Sequence, residues 1–350
     1  MNSLKKSIVI ILAAGKATRL RPLSERIPKP LVKINGISLL KRIVKMFKET
    51  GFTDFLVLVG YKGALIVEEL KSIENIDISF VYQTEQVGMA DALLKCFDYL
   101  VSNNQQYLNY IVTASDVIFS RDAVNLLFSL HKNTNSDIAL SLMESRDLDV
   151  AKAHGNIKPS IETRKESDTD PDQGIPIIDI LEKPEETQIM SEYYSLPFYI
   201  FNEKIRRYLK NIGYSKRGEK ELQEAIKYSI ENKDIVRGIK IINEEITNVN
   251  LGAYHLTTMK DIISMNIRFL NEDSREKSVS LKNVITGNDC NLGNDLTLKN
   301  VVMFDDVKIG NNAKLEWCII DDHCVIPNAF KVNNCFITRN NDGSLSTYPF

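Results

Sequence analysis

The stretch Leu12-Ala13-Ala14-Gly15-Lys16-Ala17-Thr18-Arg19-Leu20-Arg21-Pro22-Leu23 follows an apolar run and sets small residues beside three cations. Small side chains let backbone N–H groups approach a polyphosphate, and nearby cations neutralise it. The same pattern also suits an ordinary strand-to-helix turn, and spacing alone leaves both readings open. A Walker loop is excluded, because no glycine stands at the required distance before a Gly-Lys-Ser/Thr, and a G-x-G-x-x-G turn is absent. Nine residues after Leu20, Lys29 lies between Pro28 and Pro30. Two prolines stiffen the backbone and hold that ammonium in place, which an ordinary solvated lysine lacks.

The elements that must position these residues follow from periodicity. Ser7–Leu12 reads as a buried strand and Leu39–Glu49 as a helix with Leu39, Leu40, Ile43, Val44 and Phe47 on one face. Strands at Phe55–Val59, Ile78–Tyr82 and Ile111–Thr113 alternate with helices at Ala64–Lys71, Met89–Leu100 and Ala123–Lys132. Such alternation predicts an α/β fold with a mostly parallel sheet covered on both faces. Ligands of these sheets bind beyond the carboxyl ends of the strands, which directs attention to the residues after Leu12, Tyr82 and Thr113. Residues 162–173 are almost wholly polar and read as a surface loop. A helix is expected over Met259–Asn271, followed by the charged patch Glu272–Lys277.

From Val284 onward the pattern changes. Aliphatic or aromatic residues recur every five or six positions, at Leu292, Leu298, Phe304, Ile309, Leu315, Ile320, Ile326, Val332 and Ile337, with Gly and Asn between them. This period suits a β-solenoid of about three coils, each face holding two inward positions. So few coils predict docking or self-association. Four of the five cysteines, Cys290, Cys318, Cys324 and Cys335, fall here and read as small apolar filler.

Composition narrows the function class. Across 350 residues, 44 Lys and Arg against 46 Asp and Glu leave a formal charge of −2, so no global basic field points to nucleic acid. The longest apolar run, Ile8 to Ala14, is far below the roughly 20 residues of a membrane span. It ends in Gly-Lys-Ala-Thr-Arg rather than a small-residue cleavage site. An odd cysteine count without C-x-x-C spacing argues against a disulfide framework or zinc knuckle. The expectation is a cytoplasmic protein with no nucleic-acid or membrane partner.

With these residues in view, Leu12–Gly36 (LAAGKATRLRPLSERIPKPLVKING) resembles the signature of the sugar-1-phosphate nucleotidyltransferases, the nucleotide-sugar pyrophosphorylases. Later motifs follow in that family's order. Gln83-Thr84-Glu85-Gln86-Val87-Gly88-Met89-Ala90 is similar to its base-reading segment, and Ser115-Asp116 to its metal-binding aspartate. His154-Gly155-Asn156 resembles the segment lining the sugar, and Glu182-Lys183-Pro184 the sugar-phosphate clamp. A solenoid tail is also common in the family. The resemblance implies a Rossmann-like domain followed by a short left-handed parallel β-helix, with the catalytic domain at 1–265, a helix or linker at 266–283 and the β-helix and tail at 284–350.

It further implies an attack by a sugar-1-phosphate oxygen on the α-phosphorus of a nucleoside triphosphate. Crowded negative charge makes positioning and neutralisation the main catalytic tasks. Under this resemblance Arg19 holds the triphosphate, Lys29 neutralises charge near the α-phosphate, Lys183 holds the sugar phosphate and Glu182 contacts sugar hydroxyls. Leu12, Ala14, Gly15, Gln83 and Gly88 line the nucleotide, Gln83 through amide donors and acceptors. Gly155 lines the sugar. Asp116 supplies a hard oxygen to Mg²⁺, which takes only one or two carboxylates beside phosphates and water.

Two departures stand out. Aligning Thr258 with the family threonine that opens a helix places His255 where a second metal-binding aspartate is usual. Imidazole is a poor Mg²⁺ ligand but suits softer ions such as Mn²⁺; Asn250 is an alternative oxygen donor, and a shifted alignment would leave His255 a strand-end residue. At Leu196-Pro197-Phe198-Tyr199 the family more often carries a glycine before its tyrosine. The expected activity is transfer from UTP, then GTP, to a hexose-1-phosphate, in a homo-oligomer, with no acetyl transfer in the short solenoid. The alternatives are a catalytically weak regulatory subunit that binds nucleotide sugar, and, within the enzyme class, a non-sugar acceptor such as phosphocholine.

Overall fold

The computed structural model describes residues 6–151, 153–160, 170, 172–241, 255–269 and 281–350. Two compact units are present: Met1–Lys16 with Ile43–Asn248, and Ala17–Arg42 with Val249–Phe350. The second unit joins residues 17–42 to the C-terminal region.

In the first unit, β1 (Ser7–Ala13), β2 (Asp54–Val59), β3 (Asp77–Tyr82) and β4 (Asn109–Ala114) pair in parallel in the order β3-β2-β1-β4. Helices α1 (Leu39–Glu49, whose first turn belongs to the other unit), α2 (Gly63–Leu70), α3 (Met89–Ser102) and α4 (Arg121–Thr134) follow them. The predicted face of α1 is buried at Leu39, Leu40, Ile43, Val44 and Phe47. Beyond β4 the strict alternation ends and antiparallel strands enter. The remaining strands are β5 (Ile138–Glu144), β6 (Gly155–Pro159), β7 (Ile175–Glu182), β8 (Tyr193–Phe201) and β9 (Val236–Lys240). The nine-stranded order is β3-β2-β1-β4-β8-β5-β9-β7-β6, with β8 antiparallel to both β4 and β5. The parallel character expected from the alternation therefore holds for the first four strands and again for the β5–β9 pair, and the sheet as a whole is mixed. One apolar core joins Ile8, Ile10, Leu58, Leu93, Phe97, Val112, Leu140 and Tyr199 across the sheet and α3. The helices α5 (Ile205–Leu209) and α6 (Leu222–Glu231) also belong to this unit, α6 lying on β7.

In the second unit, α7 (Met259–Arg268) lies on the solenoid. The long strands β10 (Leu281–Thr286), β12 (Thr297–Met303), β14 (Lys314–Ile320) and β16 (Lys331–Arg339) stack in parallel. The short strands β11 (Asn291–Leu292), β13 (Lys308–Ile309) and β15 (Val325–Ile326) form a second parallel face. The register Leu281↔Leu298, Leu298↔Leu315, Leu315↔Val332 fixes one coil at 17 residues. Left-handed backbone recurs at Asn283, Asn300, Trp317 and Asn334, at Asp289, Asp306 and His323, and at Asp295, Asn312 and Ala329. These corners fall at intervals of six, six and five residues, which explains the five-or-six spacing of the apolar positions. Asn and Asp dominate the corners because they tolerate this conformation better than other side chains with a Cβ. Polar side chains also bind coil to coil: Asp305 Oδ1 accepts from Asn288 N at 2.9 Å and Asp322 Oδ1 from Asp305 N at 2.9 Å. Leu298, Leu315, Ile320 and Ile337 point into the core with Cys318, Cys324 and Cys335 as filler, whereas Leu292 stays 36 % exposed on its short strand. The strand β17 (Leu345–Pro349) closes the stack antiparallel to β16. The expected polar loop at 162–173 lies mostly outside the described residues, as do Asn250 and the Glu272–Lys277 patch.

Candidate active site

The strand order β2-β1-β4 puts a topological switch point between β1 and β4, and ligands of open α/β sheets bind in the crevice beyond it. Leu12 pairs with Ala114, and Ser115 N donates to Leu12 O at 3.2 Å, so Gly15 and Asp116 follow adjacent strand ends. The Ala14 carbonyl accepts from the Gln86 side-chain amide and from Tyr61 N at 3.4 Å. Gly60 makes this packing possible, since a Cβ there would lie 2.9 Å from both Ala14 Cβ and Gln83 O. In the sequence Gln86 stands out only as part of the base-reading segment, and Gly60 is not singled out, because its contact with Ala14 crosses between strands. Gly15 itself is exposed, and a Cβ there would meet open space. Gln83 is 5 % exposed and donates to Asp91 Oδ2 at 3.0 Å; Asp91 also pairs with Lys95. One amide hydrogen of Gln83 is therefore committed within the protein, which fixes how the amide faces its surroundings.

A second cluster forms where β6 meets β7. Gly155 and Glu182 are paired in register, and Lys183 N donates to His154 O at 3.1 Å. A Cβ on Gly155 would lie 2.8 Å from Ser195 Oγ and 3.1 Å from Glu182 Oε2, so the glycine leaves the carboxyl its place. Glu182 Oε2 is buried and has no hydrogen-bond partner, while Oε1 lies 3.8 Å from Lys183 Nζ. Glu221, 6 % exposed, accepts from Ser215 Oγ at 2.9 Å and Arg217 at 2.8 Å. Burial pushes the Glu182 carboxyl up to about 7; Lys183 opposes the rise and Glu221 adds to it. Ser195, Arg217 and Glu221 join this cluster without a sequence signal of their own. Asn156 spends its amide on Ser191 O at 2.9 Å, Tyr193 O at 3.0 Å and Met190 N at 2.7 Å, so it holds the entry to β8.

The raised carboxyl sets a pH dependence. A group whose folded value exceeds its unfolded 4.5 contributes stability that is present below that value and lost as pH rises through about 7. The shift corresponds to roughly 3 kcal/mol. Glu182→Gln is therefore expected to be more stable relative to the wild type at pH 8.5 than at pH 5.5. Urea unfolding at both values checks this, and an unchanged difference would refute it.

In the second unit, Arg19 lies exposed on the single turn Thr18–Leu20, entered through Ala17 in left-handed conformation at φ 49°. Lys29 opens the turn Lys29–Leu31, and Val32 N returns to Lys29 O at 3.1 Å. Prolines on both sides fix that turn as the sequence implied. Thr258 caps α7 in a reciprocal capping box with Asp261, matching the helix-opening threonine, and His255 lies half-buried three residues earlier. Among the described residues no group of three or more His, Cys, Asp or Glu converges on one point. A single hard carboxylate such as the half-buried Asp116 suits a cation whose remaining ligands are phosphate and water oxygens. No helix among the described residues is long and apolar enough to cross a membrane.

Residues 8–241 match the family described as Nucleotidyl transferase, and residues 261–334 match a GlmU-like C-terminal hexapeptide family. The chain is 28 % identical over 283 residues to the "Bifunctional protein GlmU" of Methanococcus maripaludis, covering 80 % of this chain and 59 % of that protein. It is 30 % identical over 233 residues to the "UTP--glucose-1-phosphate uridylyltransferase AglF" of Haloferax volcanii, covering 66 % of this chain and 87 % of that one. Over 112 residues it is 35 % identical to the mannose-1-phosphate guanyltransferase of Saccharomyces cerevisiae, covering 31 % and 30 % of the two chains. The fold is similar to that of a UDP-glucose pyrophosphorylase solved with UDP-glucose, with a TM-score of 0.56 and 21 % identity over 67 % of this chain and 90 % of that one. With its sheet, its signature and two thirds of its length matched in this way, the chain belongs to the nucleotidyl transferase family, in the branch of sugar-1-phosphate nucleotidyltransferases that carry a hexapeptide-repeat β-helix.

Proposed function

We propose that the chain transfers the nucleotidyl group of a nucleoside triphosphate, UTP in preference to GTP, to a hexose-1-phosphate and releases pyrophosphate. The observation that carries this reading is the Gly155, Glu182 and Lys183 cluster, where a buried carboxyl lies beside a glycine that leaves it room and an ammonium stands 3.8 Å from its other oxygen. A phosphate oxygen of the sugar attacks the α-phosphorus, a new P–O bond forms, and the bond to the β-phosphate breaks with its electron pair leaving on pyrophosphate. Lys183 holds the acceptor phosphate and Glu182 the sugar hydroxyls. Arg19 and Lys29 offset charge on the triphosphate, and Leu12, Ala14, Gly15, Gln83 and Gly88 receive the nucleotide. Bound Mg²⁺ would neutralise phosphate oxygens, with Asp116 as its carboxylate; the softer His255 suits Mn²⁺. The preference for UTP is supported by the uridylyl relative from Haloferax volcanii, and that for GTP by the yeast guanyltransferase. Assembly of copies into a homo-oligomer in the cytoplasm belongs to the same proposal.

A second reading, a subunit that binds nucleotide sugar with weak turnover, is favoured by His255 at the position of an expected aspartate. Pyrophosphate release separates the two. The purified chain is expected to turn over one nucleotide with glucose-, mannose- or N-acetylglucosamine-1-phosphate in Mg²⁺. Turnover only in Mn²⁺ would support His255 as a ligand. No turnover with any pair, together with a nucleotide sugar that raises the Tm, would favour the second reading.

A further inference from the structure

We propose that Asp305 and Asp321 of the β-solenoid are positioning residues for the segment that carries Arg19 and Lys29. This inference rests on the triphosphate role proposed for those two cations. The segment Ala17–Arg42 belongs to the same compact unit as the solenoid. It is tied to the coils at two points that bracket Lys29. On one side, Arg26, at the end of the short helix Leu23–Arg26, pairs with Asp321 and, at 3.5 Å, with Asp322. On the other side, Lys33 pairs with Asp305.

The aspartates are themselves fixed by the solenoid. Asp321 is 1 % exposed and accepts from Thr338 Oγ1 at 2.7 Å, one coil further on. Asp305 accepts from Asn288 N, and its own N–H donates to Asp322 Oδ1 at 2.9 Å, so the carboxylates of successive coils are locked in register. A buried carboxylate requires a charged partner to be tolerated, which makes Asp321 a poor choice for filler and a firm socket for a guanidinium. Between the two sockets the Pro28-Lys29-Pro30 turn is stiff, so displacement at either anchor is transmitted to Lys29 rather than absorbed. Beyond Lys33, the hairpin Lys33–Ile34 and Ile37–Ser38 is held to α7 by Asn35 N donating to Asn266 Oδ1 at 2.8 Å. The solenoid thus acts as the seat of the triphosphate-neutralising cations, beyond any role in assembly.

The test uses the full chain and the more accessible of the two pairs, whose side chains are 40 % and 30 % accessible. Asp305→Asn and Lys33→Asp are each expected to raise the KM for the triphosphate or lower kcat by about 10-fold, with the KM for sugar-1-phosphate within twofold and the Tm within a few degrees. Lys33→Arg, which keeps the charge opposite Asp305 and leaves the Asn288 bond intact, is expected to stay within threefold of the wild type. Arg26→Lys, which keeps the charge at Asp321, is expected to lose less than Arg26→Gln. An unchanged triphosphate KM and kcat in Asp305→Asn, a loss that follows the Tm, or a loss in Lys33→Arg as large as in Lys33→Asp would overturn the proposal. Triphosphate affinity by calorimetry is measured alongside. Wild-type binding without turnover would count against the nucleotidyl-transfer reading, while the same variants still decide the positioning inference through affinity.

Discussion

Replacing Lys183 by methionine is expected to lower kcat/KM for sugar-1-phosphate by about 10²–10³-fold, the range found when one preorganised charge or donor is removed from a developing anion. The Tm should move by no more than about 2 °C, because the side chain is 36 % exposed and its ion pair with Glu182 is a long one, at 3.8 Å. What fixes Lys183 is the backbone: a left-handed conformation at φ 45° and the hydrogen bond from its N–H to His154 O. Methionine keeps the length and apolar stem and removes only the charge. The effect should grow with pH, since Glu182 ionises near 7 and then adds a second negative charge beside the incoming phosphate. A loss below threefold, or an equal loss for the triphosphate and the sugar phosphate, would reduce Lys183 to a surface ion pair. Measuring both KM values in the variant across pH 6 to 8.5 decides.

How much of this was legible in advance depends on how local the determining interaction is. Strand β1, helix α1 and their partners up to α4 follow from apolar periodicity, because each buries a face that its own residues define. The prolines around Lys29 and the capping threonine before α7 are equally local. The antiparallel entry of β8 between β4 and β5 is not, since β8 buries both faces and reads as a plain apolar run in either direction. The 17-residue coil escaped a simple six-residue count because its third corner comes one residue early, at Asn283, Asn300, Trp317 and Asn334. Residues 17–42 meet the solenoid unit in part through Arg26 and Lys33 finding aspartates more than 270 positions away, and no window of sequence contains both partners. Within the site, Gln83, Gln86, Glu182 and Lys183 were visible as motif residues, whereas Gly60, Ser195 and Glu221 act through contacts that only the fold creates.

Gly88 illustrates how one motif position can serve two ends, and its substitution carries the largest expected effect on stability. The family resemblance places it in the base-reading segment lining the nucleotide, where a missing side chain lets the backbone approach a base. The structure sets it at φ 118° and ψ 170°, a conformation that residues with a Cβ scarcely adopt. A Cβ there would also lie 2.4 Å from Lys220 O and 2.6 Å from Lys220 N. Neither atom can retreat easily, because Lys220 N donates to Val87 O at 2.6 Å and Lys220 O accepts from Ala90 N at 3.0 Å. Lys220 thereby holds the first turn of α3, and with it the Gln83–Gly88 loop. Gly88→Ala is expected to destabilise the protein by about 3 kcal/mol or more, combining backbone strain of ~1–3 kcal/mol with the overlap. If approach to a base were the only requirement, the variant would raise the triphosphate KM and leave the Tm alone. A lowered Tm with a restored triphosphate KM at low temperature would instead mean that packing on Lys220 alone selects glycine. Both changes together, persisting when the protein is fully folded at 15 °C, are the outcome expected if the glycine both seats α3 and admits the nucleotide.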